Sequence, residues 1–243
     1  MDLGSGTGSN LRYLAPRLPT PQSWTLLDHD AALLARAAQD PSGVTLRTRV
    51  GELAEEGLEE VSGAHLVTAS ALLDLVSESW LAALASECQA HGCGVFFTLN
   101  YSGDIRWGEP PNQTLGASET GDLDSGDAVI RDAMNRHQRR DKGLGPALGP
   151  QAAAAAESLF RARGYATWTA PSPWRLGRED EPLARTLLAG WEKAALEELP
   201  AEAELIRAWS RRKQRLIRQG RFSLYVGHVD LLALPPPSDG TSQ

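Results

Sequence analysis

Short apolar runs alternate with amphipathic stretches through the first hundred residues. SWTLLD at 23–28 reads as a buried strand, and AALLARAAQ at 31–39 as the helix that follows it. VTLRTRV at 44–50 alternates as a strand with one exposed face does. AHLVTAS at 64–70 is again a short buried run, and ESWLAALASECQAHG at 78–92 is an amphipathic helix stopped by glycine. GVFFTLNY at 94–101 is the strongest strand signal in the chain. Near the start, NLRYLAPRL at 10–18 can form a helix with Leu11, Leu14 and Leu18 on one face, leaving Met1, Asp2 and Leu3 for a strand before it. Strand–helix alternation of this kind implies right-handed crossovers and a doubly wound, mostly parallel sheet, so the expected fold class is α/β.

The pattern breaks over 102–150, where Gly, Pro, Asp and Asn are frequent and GDAVIRDAMNRHQRRD at 126–141 is the one helical stretch. A loop-rich segment this long inside a compact domain points to function or disorder. A helix is expected at 151–164, a strand at 165–170, two or three helices over 181–219 with a break at Pro200, and a closing strand at 222–234 bent at Gly227. The tail 235–243 lacks apolar residues and is expected to be disordered. This organises the chain as one domain over 1–234. It has a half at 1–101 that carries a glycine-rich turn, a loop-rich lid segment at 102–150 and a helical insertion at 172–221.

With 243 residues, 42% hydrophobic and 23% charged, the chain can bury a large single core. No apolar run approaches the roughly 20 residues of a membrane helix, and no basic-then-apolar leader is visible, so a cytoplasmic protein without membrane contact is expected. The formal charge of −7 argues against a general nucleic-acid surface, which needs a basic face. RAWSRRKQRLIRQGR at 207–221 is the local exception and reads as the solvated face of a helix. Cys88 and Cys93 are too few for a disulfide framework or a four-ligand zinc site; they fit a reducing compartment and the role of small buried fillers. No carboxylate triad suited to a metal stands out, and no metal is expected.

The candidate chemistry begins at MDLGSGTGSN, where Gly4, Gly6 and Gly8 alternate directly after Asp2 and before a helix. Glycines without Cβ let the backbone pass close to a ligand. Three readings compete: a turn of no functional meaning, a dinucleotide site, and an S-adenosylmethionine site. The dinucleotide fingerprint G-x-G-x-x-G fits Gly4 and Gly6 but would need glycine where Ser9 stands. The sequence is similar to class I S-adenosylmethionine-dependent methyltransferases, in which a D-x-G-x-G-x-G turn follows the first strand. Asp2, Gly4, Gly6 and Gly8 match that turn position by position. The resemblance implies a seven-stranded Rossmann-like sheet, S-adenosylmethionine as cofactor and S-adenosylhomocysteine as product. It also implies cofactor contacts from Asp2, Ser5 and Asn10 around the turn, from Asp28 to the ribose hydroxyls, from His29 beside the adenine edge, from Glu52 and Leu53 near the adenine, and from Ser70 beside the sulfonium. Asp28 suits the ribose because a carboxylate can accept from two neighbouring hydroxyls at once.

Members of that family usually carry helices and most of a strand before the glycine turn, so a truncated first strand and some loss of cofactor affinity are expected here. The insertion at 172–221, with 102–150, would roof the carboxyl ends of the strands, where ligands of open α/β sheets bind. A small-molecule acceptor beneath a lid follows, with an oxygen or nitrogen nucleophile. Asp74 lines that site, and Asn100 and Tyr101, ending a strand, should point into the crevice. His137 is a candidate general base, with Asp141 able to orient it, and Arg139, Arg140 and Lys142 could hold an anion. The alternative for this cluster is a helix C-terminus capped by cations. Trp107, Trp174, Trp191 and Trp209 read mainly as lid core, with stacking on a substrate as the other option. Two rival functions remain open: a methyltransferase fold kept as a binding module without catalysis, and a nicotinamide-dependent oxidoreductase. The oligomeric state is left undetermined.

Overall fold

The computed structural model describes residues 1–38, 43–54, 56–108 and 125–237. Five parallel strands form one half of a mixed sheet: β1 (Asp2–Leu3), β2 (Ser23–Asp28), β3 (Thr45–Val50), β4 (Leu66–Ser70) and the first part of β5 (Gly94–Gly108). β6 (Ala166–Pro171), β7 (Trp174–Leu176) and β8 (Ser223–Leu234) complete it, all three interfaces of β8 being antiparallel. The spatial order is β3-β2-β1-β4-β5-β8-β6, with β7 alongside β8. The fold is therefore α/β with a mostly parallel sheet, as expected. It has eight strands instead of seven, because 174–176 is a short strand inside the stretch expected to be helical.

Helices cover both faces. α1 (Ser9–Leu14) and α2 (Ala31–Ala37) pack with Trp24, Leu26 and Phe96 on one side. α4 (Glu78–His91) and α6 (Ala152–Ala162) enclose Leu3, Val67, Val95 and Phe97 on the other. Phe96 and Phe97 go to opposite layers because successive strand side chains alternate. α1 is shorter than the pattern 10–18 suggests: Pro16 turns its end into a 3-10 turn. α4 begins where Ser77 accepts from the Trp80 N–H and stops at Gly92 in the left-handed region, φ 64°. Cys88 and Cys93 are free and fully buried in this core, as fillers.

The largest difference from the sequence pattern lies beyond Tyr101. β5 does not end there but runs to Gly108. Its register against β8 shifts between Phe97 and Asn100 and again between Tyr101 and Ile105. These bulges, with Leu99 at φ 54° and Gly103 at φ 84°, break the period-2 pattern and hide the continuation. The irregularity sits on β5, opposite Gly227, where β8 itself continues unbroken. The far half of β5 carries a second core with α5 (Ser125–His137), α7 (Glu181–Glu198) and α8 (Ala203–Arg218). Trp107 meets Trp191 and Trp209 edge to face at 6.2 Å each, so three of the four tryptophans are indeed core. No helix among the described residues is long and apolar enough to cross a membrane. The remainder of the lid segment, 109–124, and the end of the tail, 238–243, lie outside the described residues.

Candidate functional site

The glycine turn sits at the carboxyl end of β1, between β2 and β4. Gly4, Gly6 and Gly8 all take positive φ, at 58°, 52° and 77°, a region other L-residues enter at a cost. Their surroundings differ. A Cβ on Gly4 would meet Leu72 at 3.3 Å and one on Gly8 would meet Ala37 at 3.1 Å, whereas one on Gly6 would meet nothing within 4 Å. Gly4 and Gly8 thus serve close packing, and Gly6 faces open space.

Two aspartates hold the turn. Asp28 Oδ2 accepts from the Gly6 N–H at 2.7 Å and Oδ1 from the Asp30 N–H at 3.0 Å, which fixes the end of β2 to the turn. Its two oxygens retain further lone pairs for a vicinal diol. Asp2 is almost fully buried, and its Oδ1 accepts from Asn10 Nδ2 at 2.9 Å and from Thr68 Oγ1 at 2.6 Å. Asp2 and Asn10 are therefore brought together, in a brace that locks the start of α1 onto β1 and β4. Burial pushes the Asp2 carboxyl up to about 6, the hydrogen bonds from Thr68 and Asn10 opposing it. The Ser5 hydroxyl is buried in the same turn without a partner. Ser5 also anchors by backbone, its N–H donating to the Leu27 carbonyl at 3.0 Å.

His29 is 75% exposed at the side chain, with Nδ1 3.3 Å from Asp28. Glu52 is exposed as well, and its N–H donates at 2.9 Å to Oε2 of Glu56, the first residue of α3 (Glu56–Glu59). Leu53 packs on the core and its carbonyl accepts from Trp80 Nε1 at 2.9 Å. The loop joins the site through Gly51, whose N–H donates to the Asp28 carbonyl at 3.1 Å.

The carboxyl ends of β4 and β5 form the other wall. Ser70 pairs with Thr98 across these strands. Just beyond the last parallel pair lies, on each chain segment, a non-glycine residue at positive φ, Ala71 after β4 at 52° and Leu99 within β5 at 54°, and strain of this kind clusters at ligand sites. The Leu99 N–H is held by Asp230 Oδ1 at 2.8 Å, the same oxygen that accepts from Ser172. Asp74 is buried with Oδ1 unpartnered, while Oδ2 is approached by Gln138 Nε2 at 3.4 Å. Burial pushes its carboxyl up to about 6. Asn100 donates to the Phe97 and Val229 carbonyls at 3.1 and 2.8 Å and so bridges the bulge, leaving its buried Oδ1 without a donor. The Tyr101 hydroxyl donates to Asn135 Oδ1 at 3.0 Å, and burial raises its ionisation well above the ordinary phenol range. Tyr101 is paired in register with His228, whose ring Trp174 covers at 4.9 Å.

His137 lies in a different environment. Its Nε2 is 3.1 Å from Glu197 of α7, beside ion pairs of Arg140 with Glu197 and Glu198 and of Arg136 with Glu198. This charged clasp joins the C-terminal ends of α5 and α7; Gln138, the next residue, is the one that reaches Asp74. Asp141 holds a local turn through the Gly143 and Gly145 N–H groups, at 2.7 and 3.0 Å, with no bond to His137. Sequence reasoning missed Gln138, Asn135, His228 and Asp230. The last two carried one signal, as polar residues in an otherwise apolar closing strand.

No protein-family model matches the chain and no curated protein matches it. Solved structures do. The YcgJ protein from Bacillus subtilis aligns over 98% of this chain and 91% of its own, with a TM-score of 0.50 at 10% identity. The BH2331 protein of Bacillus halodurans aligns over 97% and 91% at 12% identity, with a TM-score of 0.48. Geranyl diphosphate C-methyltransferase from Streptomyces coelicolor, solved with S-adenosylhomocysteine, aligns over 97% and 70% at 11% identity, with a TM-score of 0.39. At such identities the likeness concerns the fold, and the first superposition is the one that carries it. The shared fold is a Rossmann-like α/β fold with a mostly parallel sheet, β8 running antiparallel beside β5.

Proposed function

We propose that this chain is an S-adenosylmethionine-dependent methyltransferase acting on an oxygen or nitrogen nucleophile of a small-molecule acceptor. The observation that carries the reading is the turn 4–8, three glycines at positive φ tied by Asp28 to the end of β2, with open space above Gly6. The residues present fit the cofactor. Gly6 leaves room for close approach, the Ser5 hydroxyl lacks a partner, and Asp28 is an acceptor suited to a ribose diol. S-adenosylmethionine supplies, when bound, a methyl group activated on a sulfonium.

In this reading Asp2 braces the turn, Asp28 takes the ribose hydroxyls, and His29, Glu52 and Leu53 border the adenine. The acceptor lies toward Ser70, Asp74, Asn100 and Tyr101. The unpartnered oxygens of Asp74 and Asn100 are hydrogen-bond acceptors, so they suit an acceptor that brings an N–H or O–H. A carboxyl near 6 lets Asp74 take up a proton close to neutral pH. His137, engaged by Glu197, is given no role in proton transfer. Alignment and exclusion of water then supply most of the rate.

The test is calorimetric titration of the chain with S-adenosylhomocysteine, beside Asp28→Ala and beside NADH. Micromolar binding by the native chain, weakened at least tenfold in the variant, with no binding of NADH, is the expected result. Binding of NADH without S-adenosylhomocysteine overturns the reading in favour of an oxidoreductase.

A further inference from the structure

α8 presents a stripe of arginines that the methyl-transfer reading does not use. Arg207, Arg211, Arg215 and Arg218 are spaced four, four and three residues apart, so they share one helix face, and all are exposed. The face opposite buries Ile206, Trp209, Lys213 and Ile217 against α5 and α7. Eleven steps at about 1.5 Å rise make the stripe about 16 Å long. It continues past the helix end, where Arg178 lies against Gly220 (a Cβ there would meet its Cδ at 3.0 Å) and Arg221 follows, also exposed.

Three features separate this face from an ordinary solvated helix. Residues 205–221 hold six arginines and one lysine with no Asp or Glu, in a chain whose net charge is −7. Among the described residues, Arg207, Arg211, Arg215, Arg218 and Arg221 take part in no ion pair, whereas Arg136, Arg140 and Arg185 on the neighbouring helices all do. Like charges at i,i+4 also cost a helix a few tenths of a kcal/mol per pair, so the stripe works against the stability of α8. The lone lysine of the segment, Lys213, points inward to Asp127 at 2.7 Å, so every outward cation is a guanidinium. Guanidinium offers the planar fork that matches phosphate oxygens. A membrane surface is disfavoured, because an interfacial helix inserts its apolar face and that of α8 is already buried.

We propose that the arginine face of α8 docks a nucleic-acid strand through its phosphodiester backbone, without reading its bases. This rests on the surface alone and stands or falls independently of the cofactor site. The probe is a fluorescein-labelled oligouridylate of about 20 nucleotides, followed by fluorescence anisotropy on the full chain. The expected result is micromolar binding at about 50 mM salt, with a log–log salt slope near −3 from about four phosphates, that is, roughly twentyfold weaker at about 150 mM. The triple variant R211Q/R215Q/R218Q should bind at least tenfold more weakly while melting at or above the native temperature. The matching lysine variant should retain most of the binding. Absence of binding at low salt, or equal binding by the glutamine variant, overturns the proposal. So does binding to phosphatidylserine vesicles in preference to the oligonucleotide.

Discussion

The half around the glycine turn and the helical roof over the far end of β5 are built by different means. In the first, the positions that matter are set by backbone. Three glycines at positive φ, a carboxylate accepting from the Gly6 N–H and the Ser5 N–H on the Leu27 carbonyl define the turn with little side-chain bulk. In the second, bulk and charge do the work. Trp107, Trp191 and Trp209 meet edge to face, and Asp127, itself buried, accepts from Trp209 Nε1 at 2.6 Å and pairs with buried Lys213 at 2.7 Å. The first arrangement leaves space beside a backbone N–H, which is what a ligand needs; the second fills its space and fixes α5 and α8. Changes in the roof should therefore cost stability before ligand affinity, and changes in the turn the reverse.

The largest effect expected is on the roof. Asp127→Ala leaves the buried Lys213 without its carboxylate and should cost about 3–5 kcal/mol, seen as a lowered midpoint in urea unfolding. The double change to Asp127→Leu with Lys213→Met should recover most of that loss. If the single variant unfolds at the native midpoint, the pair does not hold the roof.

Within the turn, Gly8→Ala and Gly6→Ala sharpen the comparison. At Gly8 both the positive φ and the 3.1 Å approach to Ala37 oppose a methyl group, with a stability cost of about 1–3 kcal/mol. At Gly6 only the backbone opposes it, at a cost of about 1 kcal/mol, but the methyl occupies the open space. Gly6→Ala should therefore lose S-adenosylhomocysteine binding by tenfold or more while staying folded by circular dichroism. Retained affinity in that folded variant would mean that the ligand lies elsewhere.

A smaller effect concerns pH. The Asp74 carboxyl is held at about 6 against an ordinary 3.8, by burial. A raised carboxyl pKa means that the fold favours the protonated form. Its contribution to stability is fully present below 3.8 and is lost as pH rises through about 6. Asp74→Asn should match the native chain at low pH and exceed it increasingly up to about pH 7, by on the order of 1–3 kcal/mol. A stability difference that does not change with pH would show that Asp74 is not held in this way.

The same contrast explains what could be read from the residues in order. The turn was legible as alternating glycines after an acid, and Asp28 through the resemblance, which places an acid at the end of the second strand. The strands up to 101 were legible from apolar runs. The continuation of β5 was not, because two bulges replace alternation with Gly103 and Asp104 just where the strand bends. Asn100 was expected to face a ligand, and its amide is instead spent across the first bulge, with one oxygen left over. His137 was chosen for its chemistry, but its neighbour was decided by how α5 packs on α7, which no local pattern encodes. The roof tryptophans were expected as core, but Asp127, which accepts from Trp209, was not, since a buried acid depends on a lysine 86 positions away.

The central claim is that the turn 4–8 and Asp28 hold the adenosyl cofactor. The most direct measurement is hydrogen–deuterium exchange of the full chain with and without saturating S-adenosylhomocysteine. Slowed exchange is expected at the amides of 4–10 and 28–30, with α7 and α8 unchanged. Protection confined to the helical roof, or none at the turn under conditions where calorimetry reports binding, would contradict it.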